Sequence, residues 1–246
     1  MPVEIVHDHS TDAIRERLEE GSEVSYLRDW VYGGIDGAVT TFAIVSGVVG
    51  ADLSIGIILV LGAANVVADG FSMAASNYTG TKAEIEEQAR IRHHEHRQIE
   101  RNPEGERREV REIFRNKGFE GGDLDRAVEI ITADRTLWVD TMMVEEYGLA
   151  PVDRSPVRAA LGTFFAFLLC GMVPLLPFCI APWLIDREAA VIASVVATAA
   201  TFFVIGSSKA RWSLMPWWRS ALETTAIGLG AAGVAFVIGY ALRSLV

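Results

Sequence analysis

Side chains that can bind metal recur at helical spacing within an apolar stretch, residues 61–81. Asn65, Asp69 and Met73 follow one another at steps of four, so they share one face of a helix. Carboxylate and amide oxygens accept Fe²⁺ and Mn²⁺, and a thioether favours a transition metal over Mg²⁺ or Ca²⁺. This polar stripe indicates either a path for ions and protons or a contact between helices.

Another aspartate, Asp36, interrupts the first apolar run of the chain. An ionised aspartate at the centre of a bilayer costs roughly 3 kcal/mol or more. We therefore expect Asp36 and Asp69 to need a partner, a proton or a water-filled cavity, as residues of an ion or proton path do. A position at the cytosolic interface is the alternative for Asp36.

A second group of candidate ligands lies in the charged segment 80–154. Glutamates follow a helix start at Asn102-Pro103 at steps of three, and others lie on the helices before and after it. The candidates are Glu95, Glu106, Glu109, Glu112, Met142, Met143, Glu145 and Glu146. Glutamates converging from three helices would form a divalent-metal cluster, whereas surface salt bridges to neighbouring arginines are the alternative.

Composition indicates a membrane protein, because half of the 246 residues are hydrophobic and the mean hydropathy is +0.27. The net charge of −10 is concentrated outside the apolar runs: residues 80–153 hold 18 acidic and 12 basic side chains. An acidic segment argues against nucleic-acid binding and permits cation binding. The sequence also has no nucleophile elbow, phosphate loop or HExxH motif, so an enzyme is the least expected class.

Five apolar stretches are long enough to cross a bilayer, which requires about 20 residues. They lie at residues 30–50, 55–78, 156–185, 189–207 and 220–242. Basic residues favour the cytosol for the N-terminus, the charged segment and the loop 208–219, and the outside for the C-terminus. The sequence predicts an all-α membrane protein with five transmembrane helices and a cytosolic helical metal-binding module between spans 2 and 3.

The predicted organisation therefore has four parts. Residues 1–29 are a cytosolic segment that is either a short amphipathic helix, capped by Ser10 or Thr11 and ended by Gly21, or an irregular tail. Residues 30–79 hold spans 1 and 2, residues 80–154 form the module, and residues 155–246 hold spans 3 to 5.

Local signals mark helix ends and kinks within these parts. The helix of span 2 is either continuous to about Glu100 or interrupted at Gly80. In the module, helices start at Asn102, Asp123 and Asp134, and glycines end two of them. Prolines at 174, 177 and 182 predict kinks in span 3.

Taken together, these motifs resemble the vacuolar iron transporter family. The resemblance rests on DGAVTTFAIVSGVVGA in span 1, DGFSMAASNY in span 2, and EGERREVREI and WVDTMMVEEYGL in the module. It covers nearly the whole chain from about Tyr26. It implies a homodimer in a lipid bilayer that exchanges protons for Fe²⁺, with Mn²⁺ as a second cargo. It also implies export of the metal from the cytosol and no covalent cofactor.

The resemblance also implies roles for individual residues. The family's first-span aspartate and second-span methionine match Asp36 and Met73. Its module ligands match Glu95, Glu106, Glu109 and Glu146, with Glu112 beside them, and Met142 and Met143.

Two positions depart from the family pattern. Asn65 stands where plant members have a glutamate, and we expect Asp69, one helical turn later, to take over its carboxylate role. Gln98 replaces another module glutamate, which predicts fewer or weaker ion sites. Because no targeting segment is recognisable, we expect a bacterial plasma membrane as the location.

A second function is compatible with the same motifs. A membrane-anchored metal-binding or sensing protein would use the module to bind ions and the spans only as an anchor. The polar stripe with Asp69 favours transport, because a mere anchor gains nothing from a carboxylate inside the membrane.

Overall fold

The computed structural model describes residues 8–20, 24–150, 153–212 and 214–245, and in this part of the chain the regular structure is helical. The α-helices are α1 (Thr11–Glu20), α2 (Leu27–Gly50), α3 (Ile55–Arg101), α4 (Pro103–Asn116), α5 (Gly121–Ala133), α6 (Arg135–Glu145), α7 (Pro156–Met172), α8 (Leu176–Leu184), α9 (Arg187–Lys209) and α10 (Trp217–Leu242). Within these described residues, five helical segments are long and apolar enough to cross a membrane, as predicted: α2, α3, α7 with α8, α9 and α10.

The chain divides into two compact units. Residues 1–78 and 155–246 form the first unit, which holds the spans. Residues 79–154 form the second unit, which is called the module below. The long helix α3 contributes its first half to the spans and its second half to the module.

Helix α1 lies where the sequence predicts a short N-terminal helix. The Ser10 hydroxyl accepts a hydrogen bond of 3.4 Å from the backbone N–H of Ala13, which is the predicted N-cap. The predicted end at Gly21 lies outside the described residues. Leu18 on this helix is largely exposed to solvent.

Helix α2 forms the centre of the spanning unit, because glycines bring it into backbone contact with its neighbours. A Cβ atom at Gly33 or Gly37 would lie 2.3 or 2.4 Å from a carbonyl oxygen of α7. A Cβ atom at Gly50 would lie 2.3 Å from the carbonyl of Phe236 on α10. Such close approach of helices depends on small residues at the contact.

Span 3 is broken where the prolines predict it. Helix α7 ends at Met172, a 3₁₀ turn covers Val173–Leu175, and α8 continues from Leu176. Pro174 lacks a backbone N–H and therefore interrupts the helical hydrogen-bond pattern. The hydroxyl of Ser194 on α9 donates a hydrogen bond of 2.7 Å to the Pro174 carbonyl and so fixes the break.

The spanning half of α3 buries one face only. Ile58 and Val66 lie in the apolar core of the unit, and a Cβ atom at Gly62 would meet Leu175. Val67 and Phe71 are largely exposed within the single chain. One face of α3 therefore remains uncovered.

The module folds around an apolar core built by α4, α5 and α6, which includes Val110, Leu124, Trp138 and Met142. Two predicted caps are confirmed. Asn102 accepts from the N–H of Gly105 at 3.1 Å, and Asp134 accepts from the N–H groups of Thr136 and Leu137 at 2.8 and 3.1 Å.

One boundary prediction is wrong, and one open alternative is decided. Helix α5 begins at Gly121 instead of Asp123, which lies in the first turn of the helix, where an acidic side chain is favourable. Gly80 does not interrupt α3, which runs unbroken from Ile55 to Arg101. One glycine costs a helix only about 1 kcal/mol, too little to break a helix of this length.

The packing of α2 gives a testable prediction. Substitution Gly37→Ala is expected to destabilise the spanning unit by about 1–3 kcal/mol, because the new Cβ atom would push α2 away from the Phe167 carbonyl. The measurement is the midpoint of thermal unfolding in detergent. Gly230→Ala on α10 is the matched control, since no heavy atom lies within 4 Å of its added Cβ. An unchanged midpoint for Gly37→Ala would contradict the packing.

Candidate metal-binding sites

The spanning unit brings together three of the four predicted path residues. The carboxylates of Asp36 on α2 and Asp69 on α3 lie close enough to interact electrostatically. The hydroxyl of Thr40 donates to the Asp36 carbonyl at 2.9 Å and accepts from the side-chain amide of Asn65 at 3.4 Å. Thr40 thus links Asn65 to the helical turn that carries Asp36.

Met73 lies one turn beyond Asp69 on α3. Asp69 is exposed within the single chain, whereas Asn65 and Met73 are half-buried. The α3 stripe therefore combines two oxygen-bearing side chains with a thioether along the edge of its uncovered face. Oxygen and sulphur donors together suit Fe²⁺ or Mn²⁺ better than Mg²⁺ or Ca²⁺.

A hydrogen-bond network one turn further along α3 was missed by the sequence reasoning. The side-chain amide of Asn77 donates to Asp29 on α2 at 2.8 Å and to the Thr163 hydroxyl on α7 at 2.7 Å. Asp29 is buried, so this network ties together three spanning helices. The signal was present in the sequence, since Asn77 continues the steps of four from Asn65, Asp69 and Met73.

The module brings together four of the predicted glutamates: Glu95 on α3, Glu106 and Glu109 on α4, and Glu146 at the C-cap of α6. Glu95 and Glu106 are only 2% and 5% exposed, whereas Glu109 and Glu146 reach the surface. These four side chains are called the glutamate group below. Its members come from three helices, as the sequence predicts.

Burial and mutual repulsion raise the pKa of two members of the glutamate group, Glu106 and Glu146. Desolvation, followed by the charges of Glu109, Glu95 and Glu146, raises the pKa of Glu106 to about 7. Partial shielding of the Glu146 carboxylate, with the charges of Glu95 and Glu109, raises its pKa as well. Near neutral pH Glu106 is therefore partly protonated, and a cation that binds it must displace this proton.

Two oxygens of the glutamate group lack a hydrogen bond. Glu95 Oε2 and Glu106 Oε2 are both buried without a partner, while Glu95 Oε1 accepts a hydrogen bond of 2.8 Å from the Tyr147 hydroxyl. A buried polar atom left unsatisfied costs about 1–3 kcal/mol, and more when it is charged. A proton or a metal ion would remove this cost.

The group is a set of neighbours and not a formed coordination shell. Among the residues that the structure describes, no three His, Cys, Asp or Glu side chains are arranged to hold a metal ion. Neighbouring carboxylates repel one another, so a cation that binds them must also draw them together. Small side-chain movements of Glu95, Glu106, Glu109 and Glu146 would be part of binding.

Two further predicted ligands, Glu112 and Glu145, form ion pairs with basic side chains. Glu112 forms an ion pair with Arg115, and Glu145 forms one with Lys117. For these two glutamates the structure favours the salt-bridge alternative. Met142 and Met143 are buried in the apolar core of the module, where their side chains contribute to packing.

His96, which follows Glu95 on α3, has a partner outside the glutamate group. His96 Nδ1 accepts from Arg135 Nε at 3.2 Å, and the Arg135 guanidinium also binds Glu100. This arginine lowers the pKa of the Glu100 carboxyl. The ion pair joins α3 to α6 and so supports the placement of Glu95.

Comparison with known proteins gives a consistent result. A profile of the VIT family matches residues 27–240. The chain is 36% identical to vacuolar iron transporter 1 of Arabidopsis thaliana, over 86% of this chain and 84% of that protein. It is 34% identical to the vacuolar iron transporter of Toxoplasma gondii, over 97% of this chain and 83% of that protein.

The raised pKa of Glu106 predicts how the module responds to pH without metal. An acid whose pKa is higher in the folded state stabilises the fold below its unfolded pKa of about 4.5. That stability is lost as pH rises through about 7. Hydrogen exchange in α4–α6, corrected for its intrinsic pH dependence, should therefore be faster at pH 8 than at pH 6.

Substitution Glu106→Gln should reduce this pH response, since the amide does not ionise. Glu104→Gln is the control, because Glu104 lies on the same helix in an exposed pair with Arg107 and should leave the response unchanged. Equal responses in both variants would contradict the assignment to Glu106.

Proposed function

The chain belongs to the VIT family, and from this premise we propose that it transports Fe²⁺, and also Mn²⁺, out of the cytosol in exchange for protons. The related proteins named above are vacuolar iron transporters, which supports iron as the cargo. The five spanning helices suit a multi-pass membrane transporter. Manganese as cargo and the exchange for protons are argued from the residues of the two sites.

The observation that carries the proposal is the interaction between Asp36 and Asp69 on two spanning helices. Neighbouring carboxylates in a membrane repel one another when both are charged. Either a divalent cation or protons relieve this repulsion. Metal and protons therefore compete for the same oxygens, and this competition is what an exchanger requires.

The donors beside this pair favour Fe²⁺ and Mn²⁺. Asn65 offers an amide oxygen, and Met73 offers a sulphur one turn from Asp69. Mg²⁺ and Ca²⁺ prefer oxygen ligands alone, whereas a mixed set of oxygens and a thioether is acceptable to a transition metal. In this proposal Asp69 supplies the second carboxylate that position 65 lacks.

The glutamate group of the module is proposed to collect metal on the cytosolic side. Buried oxygens without a hydrogen-bond partner on Glu95 and Glu106 support a role in cation binding. The basic residues of the N-terminal segment, the module and the loop 208–219 support a cytosolic position for all three and an outside C-terminus. The location proposed is a bacterial plasma membrane.

The proposed transporter acts as a homodimer. Asp69 and Phe71, on two different sides of α3, are both exposed within the single chain. A charged side chain directed at lipid is costly, so contact with a second copy would shield it. The path for metal would then lie between the two copies of α3.

The proposal is tested by metal uptake into inverted vesicles or proteoliposomes with an acidic interior. The wild-type protein should accumulate Fe²⁺ and Mn²⁺, and Asp36→Asn or Asp69→Asn should lower the rate at least about tenfold. Loss of even an outer-shell partner of a metal ligand costs 10–100-fold, so loss of a ligand should cost no less.

Asp186→Asn is the matched control, since Asp186 caps α9 through the N–H of Ala189 and asparagine caps equally well. It should transport at the wild-type rate. Saturable metal binding without any uptake by the wild-type protein would instead favour a membrane-anchored binding or sensing protein.

A further inference from the structure

The two oxygens of Glu95 have different surroundings. Glu95 Oε1 accepts a hydrogen bond of 2.8 Å from the Tyr147 hydroxyl, whereas Oε2 is buried and has no hydrogen-bond partner. The residue as a whole is only 2% exposed, so bulk water does not supply a hydrogen bond to Oε2. One oxygen is thus committed to a protein donor, and the other is free to bind an ion.

Tyr147 is held firmly in the position from which it makes this bond. It follows Glu146 directly at the end of α6, where the N–H of Tyr147 bonds to the Met142 carbonyl at 3.4 Å. Gly148 adopts a left-handed φ of 67°, and the N–H of Leu149 bonds to the Met143 carbonyl at 2.9 Å. This helix terminator fixes the backbone on both sides of the tyrosine.

The phenol is a stable donor in these surroundings. An ordinary phenol has a pKa of about 10, so the hydroxyl keeps its proton at physiological pH. A phenol carries a single proton; the hydroxyl lies 2.8 Å from Glu95 Oε1 and also interacts with the neighbouring Glu146 carboxylate. Tyr147 therefore occupies that oxygen without adding a charge to the glutamate group.

We propose that Tyr147 is a specificity-determining residue of the module: it restricts Glu95 to one ligating oxygen and so favours Fe²⁺ and Mn²⁺ over Ca²⁺. This inference rests on the proposed role of the glutamate group in binding metal. It goes beyond that role by naming the residue that discriminates between ions and the physical means by which it does so.

The discrimination follows from coordination geometry. Ca²⁺ takes six to eight oxygen ligands and gains several of them by binding carboxylates through both oxygens. A smaller divalent ion is satisfied with fewer ligands, one oxygen from each carboxylate. Because Tyr147 holds Glu95 Oε1, two-oxygen binding by Glu95 would require this hydrogen bond to break. The free-energy cost of breaking this hydrogen bond lowers the affinity for Ca²⁺. The smaller ions need only the other oxygen of Glu95, so their affinity is unaffected.

The test uses the full-length protein in detergent micelles and compares wild type with Tyr147→Phe, which removes only the hydroxyl. Free Mn²⁺ is measured by its electron paramagnetic resonance signal, and Ca²⁺ is added as competitor. The difference in Mn²⁺ binding between wild type and Glu95→Gln is assigned to the module. Tyr240→Phe, on α10 outside the module, is the matched control.

For the binding assigned to the module, the ratio of Mn²⁺ affinity to Ca²⁺ affinity should fall about tenfold or more in Tyr147→Phe. This is the range expected for the loss of an outer-shell partner of a metal ligand. Tyr240→Phe should keep the wild-type ratio. Tyr147→Leu, which also lacks the hydroxyl, should change the ratio in the same direction, and it provides a second variant if the first does not fold.

An unchanged ratio in Tyr147→Phe, or an equal loss of affinity for both ions, would overturn the inference while leaving metal binding by the module intact. Absence of saturable Mn²⁺ binding in the wild type, or full binding in Glu95→Gln, would instead overturn the proposed role of the module, and the inference with it. The two failures are therefore distinguishable.

Discussion

A carboxylate withdrawn from water needs a proton or a cation close to it, and this requirement shapes both candidate sites. This requirement applies to Asp36 and Asp69 within the spans, where their carboxylates interact with each other. It also applies to Glu95 and Glu106 in the module, where each has a buried oxygen without a hydrogen-bond partner. Because protons and metal ions satisfy the same oxygens, binding of one displaces the other. Exchange of metal for protons would thus use a property that the fold already imposes.

Packing in the rest of the structure holds these carboxylates at positions where their charge costs free energy. Glycines on α2 allow backbone contact with α7 and α10, and that contact fixes the helix that carries Asp36. The Asn77 network ties α2 and α7 to α3, the helix that carries Asp69. In the module, the apolar core holds the helices from which the glutamate group extends. Carboxylates that repel one another remain neighbours only where the surrounding packing holds them there.

Local features of the fold could be predicted from the sequence, because they depend on neighbouring residues. The five spans follow from runs of apolar residues, the break in span 3 from Pro174, and the caps at Asn102 and Asp134 from short-range hydrogen bonds. The predicted start of α5 at Asp123 lies two residues after the observed start at Gly121. An acidic residue is favourable anywhere in the first turn of a helix, so it does not show which residue begins the helix.

The sequence predicted the types of residue in the candidate site better than it predicted which of their side chains contact one another. Helical spacing and the family resemblance pointed to Glu95, Glu106, Glu109 and Glu146, which the fold does bring together. The same spacing did not exclude Glu145, whose ion pair with Lys117 joins residues far apart in sequence. The bond from Tyr147 to Glu95 spans a similar separation. Contacts of this kind are set by tertiary packing, which spacing along one helix does not reveal.

Proton release on metal binding tests most directly whether metal replaces protons on buried carboxylates. It can be measured by calorimetric titration of the full-length protein with Mn²⁺ at pH 7, in buffers of different ionisation enthalpy. With its pKa at about 7, Glu106 alone should contribute roughly half a proton per chain, and Glu106→Gln should lower the release by that amount. Saturable Mn²⁺ binding with no proton release at pH 7 would contradict the account.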